Sequence, residues 1–333
     1  MRFLLYSILY SCIVPYRYQQ EAIYLIICTL FNPAVDMVCR IDGFEHGTTR
    51  LNVPSYTVPA GKGLNVARVI RTLGEEVALA GLIPKNDIRR FGAFLSDHGI
   101  KPLLYEAPGS TRVNITLYDS QAECVTHINS VSHALPVRLQ EDFLRFLAEY
   151  AEGGDYWCFS GSLPSGFDDD AYSRVITDFR KKGARCLLDT RGMALKTGAR
   201  AAPQIITPNL TELGEFFEME IKGVHHIALS GKRFIDMGVE YVFITLGEDG
   251  VIAIHEEQCL LCSPPDVKTV DTVGCGDALA AGIIVAQKRK FAFAEMCRMA
   301  VACGSSKSLH EGPGIVTLEE VWQLMEGVKI TAI

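Results

Sequence analysis

Residues 156–190 read YWCFSGSLPSGFDDDAYSRVITDFRKKGARCLLDT. The apolar run 156–160 has the length of a strand, 169–182 has the spacing of an amphipathic helix, and 186–190 is apolar again. Strands covered on both faces read as short unbroken apolar runs, and a strand, helix and strand in succession make a parallel crossover unit. The same rhythm extends in both directions. Residues 23–29 (IYLIICT), 77–82 (VALAGL), 204–207 (QIIT) and 241–246 (YVFITL) are further candidate strands, with helical patterns at 65–73, 87–98, 139–151, 210–218 and 227–237. The expected fold is therefore α/β, a doubly wound, mostly parallel central sheet flanked by helices. Two stretches break the rhythm. Residues 36–58 alternate around Gly43 and Gly47, and 111–128 contain RVNITLYDSQAECVTHI. Both read as meander strands, forming a small β-sheet lid inserted in the main body.

The chain has 333 residues, 48% hydrophobic and 21% charged, a composition that excludes disorder as its main state. With 32 basic and 39 acidic residues its net charge is −7, so nothing in the overall field favours a polyanion, and no nucleic acid partner is expected. An anionic small substrate needs local positive charge and backbone amides. Eleven irregularly spaced cysteines read as free thiols in a reducing, cytoplasmic setting. Cys259 and Cys262 form a CxxC, but no second pair follows at zinc-site spacing. Residues 1–22 form an N-terminal extension of open status. One Arg precedes an apolar run that ends at Pro15, with no small-x-small cleavage site and less than the ~18 residues of a membrane span, so no membrane partner is expected.

The chemistry concentrates in short glycine turns. Asp271-Thr272-Val273-Gly274-Cys275-Gly276-Asp277 runs directly into the small, apolar helix pattern ALAAGIIVAQ. Glycines before a helix let the backbone approach a ligand, and the free amides of the first turn attract an anion. Asp277 would stand beside that anion, able to take a proton from an attacking hydroxyl. The competing reading makes Asp277 an ordinary N-cap. Upstream, Pro59-Ala60-Gly61-Lys62-Gly63-Leu64-Asn65 is a second glycine turn, in which Lys62 supplies charge and Asn65 amide hydrogen bonds. Neither GxxxxGK[ST] nor GxGxxG occurs. Asp36 follows the first strand in a loop at the carboxyl end of the sheet, where ligands of such folds bind. Asn209 and Glu212 are three apart at a helix start. They form either a capping pair or, through Glu212, a support for hydrated Mg²⁺ beside nucleotide phosphates. Arg112 and Asn114 share one face of a lid strand and could clamp a phosphate.

Seven strings occur in one order: NPAVDM (32–37), AGKGLNVARVIRTLG (60–74), TRVNIT (111–116), SGSLPSG (160–166), TPNLTELGEFF (207–217), TLGEDG (245–250) and DTVGCGDALAAG (271–282). Together they resemble the ribokinase/PfkB family of sugar kinases, and within it the hexose-phosphate branch of 1-phosphofructokinases and tagatose-6-phosphate kinases. The resemblance implies one ribokinase-like kinase domain over 23–333. It implies Asp277 as catalytic base, with Gly274, Cys275 and Gly276 as an anion hole whose central residue is more often Ala. Asp36, Gly61, Lys62, Asn65, Arg112 and Asn114 match sugar-phosphate positions, and Ser160 a loop near the substrate. Asn209, Thr245, Gly247 and Gly250 match the nucleotide side, with Glu212 toward Mg²⁺. Two positions depart from the pattern: Thr207 replaces a lysine near the nucleotide, and Ala60-Gly61 replaces a glycine pair. The implied activity is ATP-dependent phosphorylation of a ketohexose phosphate, fructose 1-phosphate being preferred. Tagatose 6-phosphate and fructose 6-phosphate stay open as acceptors, as do an unphosphorylated sugar or nucleoside and an inactive sugar-phosphate sensor. The family also allows a homodimer through the lid.

Overall fold

The computed structural model describes residues 24–122, 124–132 and 134–333; the expected extension over 1–22 lies outside the described residues. Strand β1 (Ile26–Leu30) is buried along its whole length. Ile26, Cys28 and Leu30 enter one apolar core and Ile27 enters another, as the two-residue period of a strand requires. This explains why the central strands read as unbroken apolar runs. From β1 the chain leaves to form β2 (Ala34–Ile41) and β3 (Ser55–Ala60), then returns through α1 (Lys62–Thr72), β4 (Val77–Pro84), α2 (Ile88–Asp97) and β5 (Lys101–Ala107). It leaves again for β6 (Arg112–Asp119) and β7 (Cys124–Ile128), and α3 (Val137–Tyr150) leads back to β8 (Tyr156–Ser160). Next come α4 (Ala171–Lys181), β9 (Arg185–Asp189), α5 (Gly192–Arg200), β10 (Ile205–Ile206), α6 (Leu210–Phe217), α7 (Val224–Asp236) and β11 (Tyr241–Thr245). The chain closes with β12 (Val251–His255), β13 (Gln258–Ser263), α8 (Cys275–Lys288), α9 (Phe293–Ser308), α10 (Leu318–Gly327) and β14 (Lys329–Ala332).

Ten strands form the main sheet in the order β14-β13-β12-β11-β10-β9-β8-β1-β4-β5. Those from β11 to β5 are parallel, and β12, β13 and β14 add an antiparallel edge. Helices α1, α2, α8, α9 and α10 cover one face, and α3 to α7 the other. Because β1 lies between β4 and β8, the winding reverses beside β1, and a crevice opens at the carboxyl ends of the strands there. Helix α8 is buried almost throughout, and its small residues let α9 approach. A Cβ on Gly282 would stand 2.9 Å from Cys303 Sγ.

The two irregular stretches form a separate four-stranded sheet, β3-β2-β6-β7. Several expectations need correction. Asp36 lies on β2, paired with Val58 and Asn114, and not in a loop. Residues 42–54 form a long connection between β2 and β3. The helix expected from Asn65 starts at Lys62, because Gly63 lets α1 touch the end of β1; a Cβ there would fall 1.9 Å from Thr29 O. Strands β5, β12, β13 and β14 lie where the sequence reading named none. Cys259 and Cys262 belong to opposite cores, so the CxxC cannot chelate one ion. Among the described residues the cysteines are free, and no helix is long and apolar enough to cross a membrane.

Candidate active site

The crevice collects the ends of β1, β8 and β9 and the first turns of α1, α6 and α8. Gly274 caps α8 at φ 87°, in the left-handed region that favours glycine, and a Cβ there would be 2.9 Å from Pro313 Cβ. Asp277 sits in the first turn and makes no capping bond, which removes the N-cap reading. It is 4% exposed, and Asn65 Nδ2 donates to its Oδ2 at 2.8 Å. Burial pushes the Asp277 carboxyl up to about 6, against the lowering effect of nearby Lys62. The Cys275 amide donates to Thr272 O at 3.2 Å, whereas a Cβ on Gly276 would meet nothing within 4 Å. The helix start thus faces open space, as an anion cradle requires.

Lys62 Nζ lies 3.2 Å from both carboxylate oxygens of Asp189, and that carboxylate holds the ammonium well above the ordinary lysine range. Asp189 is not among the site residues that the sequence motifs point to. The available signal was a lone acid closing an apolar strand run, CLLDT, at the carboxyl end of a parallel sheet. Gly61 caps α1 at φ 133°, and a Cβ would be 2.5 Å from Leu30 Cδ1. Around α6 the capping reading holds. Glu212 N donates to Asn209 Oδ1 at 2.8 Å and Asn209 N to Glu212 Oε2 at 3.0 Å. Burial raises the Glu212 carboxyl above its ordinary value, and Lys62 works against that rise. Asn209 and Thr245 are joined by a parallel bridge, so two nucleotide-side candidates meet. Beyond Thr245 a tight turn places Gly247 in open surroundings, while a Cβ on Gly250 would collide with Cys262 O at 2.1 Å. The Thr207 hydroxyl is buried without a hydrogen-bond partner among the described residues.

On the second sheet, Asn114 Nδ2 donates to Asp36 Oδ1 at 2.9 Å, and burial raises the Asp36 carboxyl. The Arg112 guanidinium donates to the carbonyls of Pro33, Ser130 and Asn32 at 3.3, 3.1 and 3.4 Å. Much of its fork therefore braces the strand crossing. Ser160 is buried with its hydroxyl 3.1 Å from Cys158 Sγ, whereas Asn32 Nδ2, which the sequence reading passed over, donates to Ser162 Oγ at 3.1 Å. Farther along the sheet, a cleft of about 640 Å³ is lined by Arg40, Tyr118, Val270 and Glu311 among others. Arg40 bridges it, Nη2 lying 2.5 Å from Glu311 Oε2.

A ten-stranded α/β sheet, a small second sheet and a buried carboxylate at a glycine-led helix start together have the build of ribokinase-like phosphotransferases. Residues 32–320 match the pfkB family of carbohydrate kinases, and the chain belongs to that family. It is thus an enzyme that moves a phosphoryl group to a carbohydrate hydroxyl. It is 30% identical over 311 residues to a 1-phosphofructokinase of Bacillus subtilis (strain 168), covering 92% of this chain and 99% of that one. A 1-phosphofructokinase of Escherichia coli (strain K12) is 29% identical, with 90% and 96% covered. Among solved structures, phosphofructokinase-2 from Escherichia coli in complex with potassium superposes with a TM-score of 0.85 at 23% identity, over 91% of this chain and 98% of that one.

Proposed function

We propose that the chain transfers the γ-phosphoryl of ATP to fructose 1-phosphate, giving fructose 1,6-bisphosphate, as one cytoplasmic kinase domain over 23–333 with the second sheet as its lid. The observation that carries this reading is the Asn65–Asp277 hydrogen bond at 2.8 Å, which holds a buried carboxylate beside the open start of α8 at Gly276. The acceptor hydroxyl loses its proton to Asp277 as its oxygen attacks in line, and ADP leaves. The protein forms no covalent bond, so rate comes from positioning and from charge stabilisation by the amides and Lys62. Asp36 and Asn114 hold sugar hydroxyls. Arg112, Lys62 and Gly61 attract the sugar phosphate, with Ser160 supporting the loop beside it. Asn209, Thr245, Gly247 and Gly250 take the nucleotide.

The acidic groups here fit a hydrated Mg²⁺ held mainly through phosphates, because Glu212 keeps one carboxylate oxygen outside the capping pair. When bound, the ion would offset phosphate charge near Glu212. The choice of fructose 1-phosphate rests on the names of the relatives about 30% identical to this chain. The outward face of the second sheet, with Val113 and Ile128 exposed, supports pairing with a second copy.

The test is ADP release with Mg²⁺ and a panel of fructose 1-phosphate, fructose 6-phosphate, tagatose 6-phosphate and fructose. Fructose 1-phosphate should give the highest kcat/KM. A higher value for any other acceptor would replace the substrate assignment, and no turnover with any of them would overturn the reading.

A further inference from the structure

Lys307, in the last turn of α9, is 0% exposed, and the chemistry above gives it no task. Its ammonium sits in a cage of oxygens. Nζ donates to Asp271 O at 2.8 Å and to His310 O at 3.1 Å, and lies 3.3 Å from Asp271 Oδ2. A lysine has three N–H donors, so this cage satisfies all of them. The Asp271 carboxylate extends the network: Oδ1 accepts from Val273 N at 2.9 Å and Oδ2 from Gly312 N at 2.9 Å. One buried cation thus joins the turn leading into α8 to the loop that follows α9.

That second loop touches the site at two points. Pro313 packs on Gly274, and a Cβ on Gly314 would stand 3.1 Å from Asn65 Cα. Arg68, one turn along α1 from Asn65, donates to Pro313 O at 2.9 Å. The loop is therefore wedged between the cap of α8 and the residue that orients Asp277. A buried ion pair adds little net stability over well-packed apolar groups, so stability alone gives weak reason for a lysine here. Geometry gives a better one. We propose that Lys307 is a positioning residue of phosphoryl transfer, whose ammonium clamps loop 310–314 onto the 271–277 turn and so fixes the aim of the α8 amides and of the Asn65–Asp277 pair. The proposal rests on the kinase reading above.

The experiment compares full-length wild type with Lys307→Met, Lys307→Ala and Lys307→Arg by steady-state ADP release, thermal melting and amide hydrogen exchange. Displacements near 1 Å cost on the order of 10²-fold in rate, so kcat of folded Lys307→Met should fall at least ~10-fold. KM for both substrates should stay within about threefold, because ground-state binding is untouched. Exchange should rise in 271–277 and 310–314. Ammonium chloride should restore at least about fivefold of the lost Lys307→Ala turnover by re-entering the cage, and tetramethylammonium chloride, too large for it, should not. Wild-type kcat in a folded Lys307→Met would overturn the proposal. So would activity that tracks only the folded fraction without ammonium rescue, or failure of all three variants to fold, since Lys307 would then be purely structural. A wild type inactive on every acceptor sinks the kinase reading instead, and the exchange comparison alone then decides the clamp.

Discussion

Taking Asp277 out of water disfavours its charge, and the Asn65 amide with nearby Lys62 restores only part of that loss, leaving the carboxyl at about 6. A base must be deprotonated to act, so kcat/KM should rise as pH climbs through about 6 and level off above it; a profile flat between pH 5 and 8 would contradict the assignment. Asp277→Asn should lower kcat at least ~10²-fold with little change in KM. The same shift makes a stability prediction of opposite sign. Native Asp277 holds its proton more tightly than the unfolded chain does. Its stabilising contribution is full below the unfolded value of 3.8 and is lost as pH rises through about 6. Asp277→Asn should therefore be more stable to unfolding than wild type at pH 8, by on the order of 1–3 kcal/mol, and match it more closely at pH 4. Higher stability with lost turnover is the signature of a strained functional group. A variant that lost both would mark a structural acid.

At the scale of elements, helix α6 shows how one arrangement serves two ends. Its capping box uses the side-chain oxygen of Asn209 and one oxygen of Glu212, fixing both residues beside the crevice. Asn209→Ala should cost about 1 kcal/mol in stability and raise KM for ATP more than for the sugar phosphate, read from unfolding and steady-state kinetics. Equal effects on both substrates would remove Asn209 from the nucleotide side. The crossover units were legible in the sequence because strands covered on both faces leave unbroken apolar runs, as in 156–160 and 186–190. The edge strands were not. β14 pairs on one side only and is mostly exposed, so its residues carry no strong pattern. Glycine turns marked the starts of α1 and α8, since only glycine permits φ values such as 133° at Gly61. Asp189, Asn32 and Lys307 stayed hidden for a different reason. Each owes its place to a partner more than 30 residues away, or to a loop whose course no local spacing reveals.

Over the whole molecule, strand alternation in the second sheet puts Met37, Cys39, Val113, Ile115, Leu117 and Ile128 on the face opposite Asp36 and Asn114. Such an apolar face on a small sheet fits self-association. Sedimentation should show a dimer at micromolar concentration, and Val113→Lys with Ile128→Lys should shift it to monomer; a wild-type monomer would refute the pairing. The main sheet has a consequence in time as well. The contact that orients the proposed base joins positions 212 residues apart, one arriving with the first helix and the other with the eighth. Strands β1, β4 and β5 leave the ribosome long before that acid has been translated. Under the proposed assignment the site gains its base only once α8 has been made, so any fragment that ends before α8 lacks the acid and a large part of the core behind it.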